Sequence, residues 1–298
     1  LVNFFMEPIP FDKRSGKIWF NGGAVNWSDV KIHVLSHGLH YASCVFEGER
    51  VYDGEIFKLE EHTERLFHSA NRLGFKIPYS QESLNKACKD IVKIQNVKNG
   101  YVRPVVWRGS EMMAISAQKT KIHVAVATWE WGSYFDPNLK LKGIKLNISK
   151  WRRPAPNTIP WDTKASGLYM ICTLSKHEAE KEGFTDSLML DYQDNIAEAT
   201  GANIFFKNKD GELHTPIPDS FLDGITRRCI IEIAKSKKIK IVERKIKPDE
   251  LSKFTGCFLT GTAAEVTPVS QIDKHNFVVC DLIKDLEKSF QNLVRKKK

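Results

Sequence analysis

Ser187-Leu188-Met189-Leu190-Asp191-Tyr192-Gln193-Asp194-Asn195-Ile196-Ala197-Glu198-Ala199-Thr200-Gly201-Ala202-Asn203-Ile204-Phe205-Phe206-Lys207-Asn208-Lys209-Asp210-Gly211-Glu212-Leu213-His214 is a run of short strand signals parted by turn residues. Ser187–Asp191 and Ile196–Thr200 flank Gln193-Asp194-Asn195. Ile204-Phe205-Phe206 and Leu213-His214 flank Asp210-Gly211. Such spacing predicts hairpins, because Asp-Gly and Asp-Asn accept the backbone conformations that tight turns require. Apolar residues recurring at three-to-four spacing predict helices on either side, at about 165–182, where Gly183 is the stop, and at about 226–237. Strands are expected at 144–149, 239–244 and 257–260, with a terminal helix near 282–294. Hairpins dominate without a regular βαβ rhythm, which indicates an α+β fold.

The first half has the same character. Lys17–Phe20 and Ala24–Trp27 pair across Asn21-Gly22-Gly23, and Arg50–Tyr52 pairs with Glu55–Phe57 across Asp53-Gly54. Helices are expected from Leu59 to Leu73, before Gly74, and from Leu84 to Ile94 behind Ser80 as N-cap. Strands follow at 101–107 and 121–129. Around residues 129–138 the pattern breaks into Trp-Glu-Trp-Gly-Ser-Tyr-Phe-Asp-Pro-Asn. That stretch divides the chain into residues 1–128, an interdomain loop at 129–138, and residues 139–298. Its aromatic residues suit a segment packed across a cleft rather than a plain spacer.

The chain has 298 residues, 42% of them hydrophobic and 27% charged, with a net charge of +9. This composition excludes collagen, coiled coil and wholesale disorder. No uncharged apolar run approaches the roughly 18 residues of a spanning helix. The opening residues lack a basic segment followed by a long apolar one, so no signal peptide is expected. The six cysteines lie far apart without a C-x-x-C pair and read as reduced thiols of a cytoplasmic protein. His33, His37 and His40 cluster, but no second ligand group completes a metal site. The basic excess is concentrated in Lys235–Lys247 and the tail Arg295–Lys298. A basic nucleic-acid-binding protein is one reading of that charge, although no recognition motif accompanies it.

Several constellations could carry chemistry. Gly261-Thr262-Ala263-Ala264 follows an apolar strand, and Asp223-Gly224-Ile225-Thr226 opens a helix. Both present backbone N–H groups suited to an anion, and both also occur as ordinary turn chemistry. Lys164 is followed by the small Ala165, Ser166 and Gly167, which leaves room for a large group on its amine. A solvated surface charge is the alternative. Glu198 lies among small residues on a strand, facing water or buried with a cationic partner. No Walker loop, dinucleotide fingerprint or G-x-S-x-G elbow is present.

Taken in order, Val45-Phe46-Glu47-Gly48, Glu61-His62-Thr63-Glu64-Arg65-Leu66, Ala155-Pro156-Asn157-Thr158-Ile159-Pro160 with Lys164-Ala165, Ile196–Asn203, Asp223–Arg227 and Gly261–Val269 closely resemble the class-IV aminotransferases. The bacterial branched-chain-amino-acid enzymes are the nearest type. The resemblance covers essentially the whole chain. It implies a two-domain, fold-type IV architecture like that of D-amino acid aminotransferase, and pyridoxal 5′-phosphate (PLP) as cofactor. Lys164 matches the Schiff-base lysine, Glu198 the acid on the pyridine nitrogen, and Tyr169 the tyrosine beside the ring oxygen. Arg65, Ile225, Thr226 and Thr262 match the phosphate site. Tyr41, Phe46, Tyr101, Arg103, Trp131, Tyr134, Thr262 and Ala263 match positions around the substrate, with Arg103 the candidate for a distal carboxylate.

The activity so implied is transamination between L-leucine, L-isoleucine or L-valine and 2-oxoglutarate, giving branched-chain 2-oxo acids and L-glutamate. A homodimer or larger homo-oligomer is implied too, with no nucleic-acid or membrane partner. Ser110–Ser116 stands where many relatives have a glycine-rich loop, so side-chain preference is the open point. D-amino acid and R-amine transaminases and aminodeoxychorismate lyase share Lys164 and Glu198. They are expected to differ around residues 101–103 and 261–264.

Overall fold

The computed structural model describes residues 9–132, 135 and 141–295. Among these, a first sheet is built from β1 (Lys17–Phe20), β2 (Gly23–Asn26), β3 (Cys44–Phe46), β4 (Glu49–Tyr52), β5 (Glu55–Ile56), β6 (Gly100–Arg108) and β7 (Ile122–Glu130). Its order is β2-β1-β7-β6-β4-β5, with β3 also on β6, and its pairings are antiparallel. Asp53 (φ 52°) and Gly54 (φ 88°) make the two-residue turn between β4 and β5, as the Asp-Gly pair predicts.

Alternation sorts the side chains of β6 and β7. Val102, Val106, Val124 and Val126 face a core shared with α2 (Leu59–Arg72) and α3 (Gln81–Ile94). Trp107 and Ala125 point the other way, with Ile18 and Trp27. Tyr101 and Arg103 share that second face by the two-residue period. Ser80 caps α3 as its sequence position predicts, its Oγ accepting from Ser83 N at 3.2 Å.

One residue of this core is out of keeping with it. Glu49 is 0% exposed, and neither carboxyl oxygen has a hydrogen-bond partner among the described residues. Burial, with the neighbouring charge of Glu47 second, pushes its carboxyl well above the usual range, so it is held as the neutral acid. A group raised in this way keeps its proton in the folded state after the unfolded chain has lost its own near pH 4.5. Its contribution to stability therefore falls as pH rises above that value. Glu49→Met should stabilise the protein by about 1–3 kcal/mol at neutral pH and flatten that pH dependence. Urea unfolding at pH 5 and pH 8 checks this, and a Glu49→Met protein less stable than wild type at pH 8 would refute it.

The second sheet runs β10-β9-β8-β15-β14-β11-β12-β13 and β16 pairs with β15. Its strands are β8 (Ile144–Arg152), β9 (Asp186–Leu190), β10 (Ile196–Ala199), β11 (Asn203–Asn208), β12 (Leu213–Thr215), β13 (Ile241–Glu243), β14 (Phe254–Gly261), β15 (Glu265–Ile272) and β16 (His275–Asn276). Three pairs depart from the hairpin pattern, β15 running parallel to β8 and two pairs of consecutive strands being parallel as well. β8 and β9 are parallel across α4 (Met170–Lys181), and β12 and β13 are parallel across α5 (Ile225–Ser236). Parallel neighbours need a crossover long enough to return the chain, and the helices expected at 165–182 and 226–237 supply it. The first of these opens as a 3₁₀ turn over Ser166–Tyr169 before the α-helical part.

β11 and β14 are buried on both faces. Ile204, Phe206, Cys257 and Leu259 enter one core, while Phe205 and Phe258 enter another with α5 and α6 (Asp281–Val294). That accounts for the unbroken apolar run Ile204-Phe205-Phe206, since a strand covered on both sides has no polar alternate positions. The two sheets meet closely: Val45 bridges Ala165, and the Tyr52 hydroxyl donates to Glu265 Oε1 at 2.7 Å.

Candidate active site

A cleft of about 570 Å³, open to solvent at its mouth, lies against the second sheet and takes walls from Lys164, Glu198, Thr226, Thr262 and, from α2, Arg65. Lys164 follows the proline-punctuated stretch 154–160, and its backbone is pinned on both sides. Its N–H donates to Ser69 Oγ (3.0 Å) and its carbonyl accepts from Phe46 N–H (3.1 Å). The amine is thereby aimed into the cleft, where Nζ donates to the Tyr169 hydroxyl at 2.8 Å. Burial would lower the Lys164 pKa, but the Tyr169 and Glu47 charges outweigh it and the net direction is upward. The amine is therefore held as an ammonium until something displaces its proton. The small residues after Lys164 serve packing as well as room: a Cβ on Gly167 would stand 3.2 Å from the Ala42 methyl, and Ala165 is buried.

Glu198 faces the cleft, and the residue as a whole is only 8% exposed. Burial lifts its carboxyl to about 7, against the opposing charges of Arg153 and Lys164. Arg153 Nε stands 3.4 Å from Oε1, and Asn203 Nδ2 donates to Oε2 at 3.3 Å. Asn203 also donates to the Leu222 carbonyl at 2.9 Å, and its Oδ1 accepts from Gly224 N–H at 3.1 Å. One amide thus links the acid to the start of α5. Gly224 has to be glycine there, because a Cβ would lie 2.2 Å from Asn203 Oδ1.

The two anion sites read separately from the sequence converge. Ile225 and Thr226 at the α5 N-terminus and Thr262 after β14 line one cleft with Arg65. A helix N-terminus and a guanidinium together favour a doubly charged oxyanion such as phosphate. Thr260 Oγ1 and Arg153 Nε are buried in the same wall without hydrogen-bond partners among the described residues. An amine, an acid beside a fixed cation, and an oxyanion cradle fit a phosphorylated pyridine aldehyde, the group the sequence resemblance implied.

The other expected positions fall in three places. Phe46, Tyr101, Arg103 and Trp131 form a cluster beside Lys164 Nζ, which lies 5.2 Å from the Phe46 ring. The Arg103 guanidinium covers Phe46 (4.5 Å), its Nη2 reaches the Tyr101 hydroxyl (3.4 Å), and Tyr101 meets Trp131 edge-on at 4.8 Å. Ala263 sits beside Thr262 in the turn joining β14 to β15 without lining the cleft. Tyr41 is not brought to the cleft. It lies on the short α1 (His37–Tyr41), 42% exposed, with its ring stacked on His37 at 4.5 Å. Tyr134 lies outside the described residues.

His33, His37 and His40 each engage loop backbone: His33 Nδ1 accepts from Leu35 N–H, His37 pairs with the Ala114 carbonyl, and His40 with that of Val34. No group of three or more metal-binding side chains occurs among the described residues.

A family model described as amino-transferase class IV matches residues 44–272, most of the chain and every side chain of the cleft. The chain belongs to the class-IV aminotransferases. This aminotransferase is 43% identical over 271 residues to the probable branched-chain-amino-acid aminotransferase of Rickettsia felis, covering 91% of this chain and 92% of that one. It superposes with a TM-score of 0.90 on the branched-chain amino acid aminotransferase of Escherichia coli, at 35% identity, covering 94% of this chain and 95% of that one. The branched-chain aminotransferase of the archaeon Thermoproteus uzoniensis, solved with norvaline, matches with a TM-score of 0.90 and 31% identity, again covering 94% of this chain and 95% of that one.

Three residues that the motifs did not single out belong to this aminotransferase's cleft or brace it: Arg153, Asn203 and Glu47. A buried Glu198 demands a cation, so the sequence signalled that a partner existed without saying which. The Arg152-Arg153 pair before the proline-rich loop was the place to look.

Proposed function

We propose that this chain is a PLP-dependent branched-chain-amino-acid aminotransferase, moving the amino group of L-leucine, L-isoleucine or L-valine to 2-oxoglutarate and releasing L-glutamate. The observation that carries this reading is the shared cleft of Lys164, Glu198 and the Arg65–α5 cradle. When bound, PLP supplies an aldehyde that takes up amino groups and a pyridine ring that accepts the electrons left when a Cα–H bond breaks.

Every other part of the work falls to the chain's own side chains. Arg65, the Ile225 and Thr226 amides and the Thr262 hydroxyl hold the phosphate. Glu198, whose carboxyl is lifted to about 7 by burial, would pair with the pyridine nitrogen and keep a proton on it. Tyr169, which accepts from Lys164 Nζ, orients that amine and would meet the ring oxygen of the bound group, leaving Lys164 Nζ as the base that would take the substrate's Cα proton. Phe46, Tyr101 and Trp131 take up an apolar side chain, worth roughly 1.5–3 kcal/mol of burial. Arg103 receives the distal carboxylate when glutamate occupies the same space, and Tyr134 and Ala263 are the remaining positions that the sequence resemblance implies. The division into two domains about residues 129–138 is part of this reading.

Ile32, Val34, Leu39, Tyr41, Met113 and Ile115 are 51, 66, 60, 42, 40 and 85% exposed. His37 ties their two segments together through Ala114 and the Gly109 carbonyl. An apolar surface of this kind marks an interface, and a homodimer covering it would carry Tyr41 toward a neighbour's pocket. The six unpaired cysteines support a cytoplasmic setting, and no described helix is long and apolar enough to cross a membrane.

Purified protein should convert L-leucine with 2-oxoglutarate to L-glutamate while leaving D-alanine untouched, and should sediment as a dimer or larger. No turnover of any branched-chain L-amino acid would defeat the assignment. A fully active monomer would defeat the interface alone.

A further inference from the structure

We infer that Glu47 is a positioning residue for Arg65, gripping one edge of the guanidinium so that its opposite edge stays turned into the cleft. The inference rests on the reading of Arg65 as the phosphate anchor and goes beyond it. Glu47 is 0% exposed, in the short segment between β3 and β4. Its Oε1 accepts from Arg65 Nε at 2.6 Å and its Oε2 from Nη2 at 2.9 Å, a bidentate fork. A guanidinium has five N–H groups, so this fork leaves three, all at the far end, and no described residue accepts from them.

The carboxylate is itself held in place. His62 Nδ1 lies 2.6 Å from Oε2, with the His62 ring fully buried and its pKa lowered by burial against the pull of Glu47. The neutral ring therefore donates. Burial alone would raise the Glu47 carboxyl, but the Arg65 and His62 interactions overcome it and hold the group well below the usual carboxylate range.

Partnering a phosphate anchor with a carboxylate cancels much of its charge, so the arrangement needs a reason. Arg65 also borders an outer groove lined by Glu61, Glu64, Asp162 and Asp223. Glu61, Asp162 and Asp223 already pair with other cations. Without a partner behind it, the guanidinium is still free to turn toward them and toward Glu64 on its flexible stem. A buried carboxylate behind it removes that option, because rotating Arg65 outward would strand Glu47 without its ion pair. The same segment steadies the lysine: Phe46 N–H binds the Lys164 carbonyl, and Val45 bridges Ala165. Residues 45–47 thus register the amine and the phosphate anchor against each other.

The test measures binding of PLP and of pyridoxal, which lacks the phosphate, to apoprotein by fluorescence quenching. Glu47→Gln and the shorter but still charged Glu47→Asp are compared with wild type. Removing a partner that orients a metal-ligating side chain typically costs about 10–100-fold in affinity, and the same scale is expected for an oriented phosphate anchor. Both variants should lose PLP affinity by about that factor while pyridoxal affinity stays within about threefold. In an Arg65→Ala background, Glu47→Asp should cost nothing further. Wild-type PLP affinity in both variants, equal loss of PLP and pyridoxal, or an undiminished loss in the Arg65→Ala background would each overturn the inference. If wild type itself binds PLP no better than pyridoxal, the reading of Arg65 fails instead.

Discussion

Lys164→Ala should abolish transamination, lowering kcat by about 10³-fold or more, the range lost with a group that both bonds the substrate carrier and moves a proton. The geometry makes this the largest effect available. Lys164 is the lysine among the cleft-lining residues, and its Nζ is aimed by three separate restraints: Ser69, the Phe46 N–H, and Tyr169. Arg65 and the α5 N-terminus are untouched by the change, so the variant should still take up PLP, without the visible band that depends on the lysine–aldehyde bond. Steady-state assays with L-leucine and an absorbance spectrum of the dialysed protein measure both. Activity within tenfold of wild type would remove Lys164 from the centre of the mechanism.

Glu198→Gln has the second-largest expected effect, about 10²–10³-fold in kcat, the scale of losing one preorganised electrostatic partner. An amide of the same shape keeps the packing and the Asn203 contact but cannot hold a proton on a pyridine nitrogen. The substitution has a signature in the apoprotein as well. The folded carboxyl titrates near 7 against an ordinary value of 4.5, so between those two values the folded state holds a proton that the unfolded chain has released. Stability from this group is therefore lost as pH rises from 4.5 to about 7, by roughly 3 kcal/mol in all at 1.36 kcal/mol per pH unit. Glu198→Gln should remove that slope. Denaturation of apoprotein at pH 5 and pH 7.5 isolates it as the difference between variant and wild type. Equal slopes would mean that Arg153 keeps Glu198 ionised throughout.

The four strands of residues 187–214, their turns, and the capped helices α2 and α3 were legible because each signal is local. A positive φ at Asp53, a serine before a helix and an apolar stripe are properties of neighbours in sequence. The cleft's own groups were legible for a different reason. Lys164, Glu198, Arg65 and Thr226 sit in ordered motifs whose chemistry is specific, and the fold brings them to one wall.

Tertiary structure alone decided which side chains stand behind those groups. Glu47 and Arg65 lie 18 residues apart, and Arg153 meets Glu198 only because β8 and β9 run parallel across α4. Nothing in the local pattern separates Arg153 from Arg152, which pairs with Asp194 near the surface. The same holds for burial. Nothing adjacent in sequence marks Glu49 as buried, yet strand pairing turns it into the core beside Val51. Tyr41, expected at the substrate, is carried by α1 to an exposed apolar surface. The sequence by itself determined the elements and the polar groups that come to line the cleft, through short-range conformational preference and side-chain chemistry. Which face of an element is covered, and which charges meet, depends on pairings between distant segments, and only the folded chain could settle those.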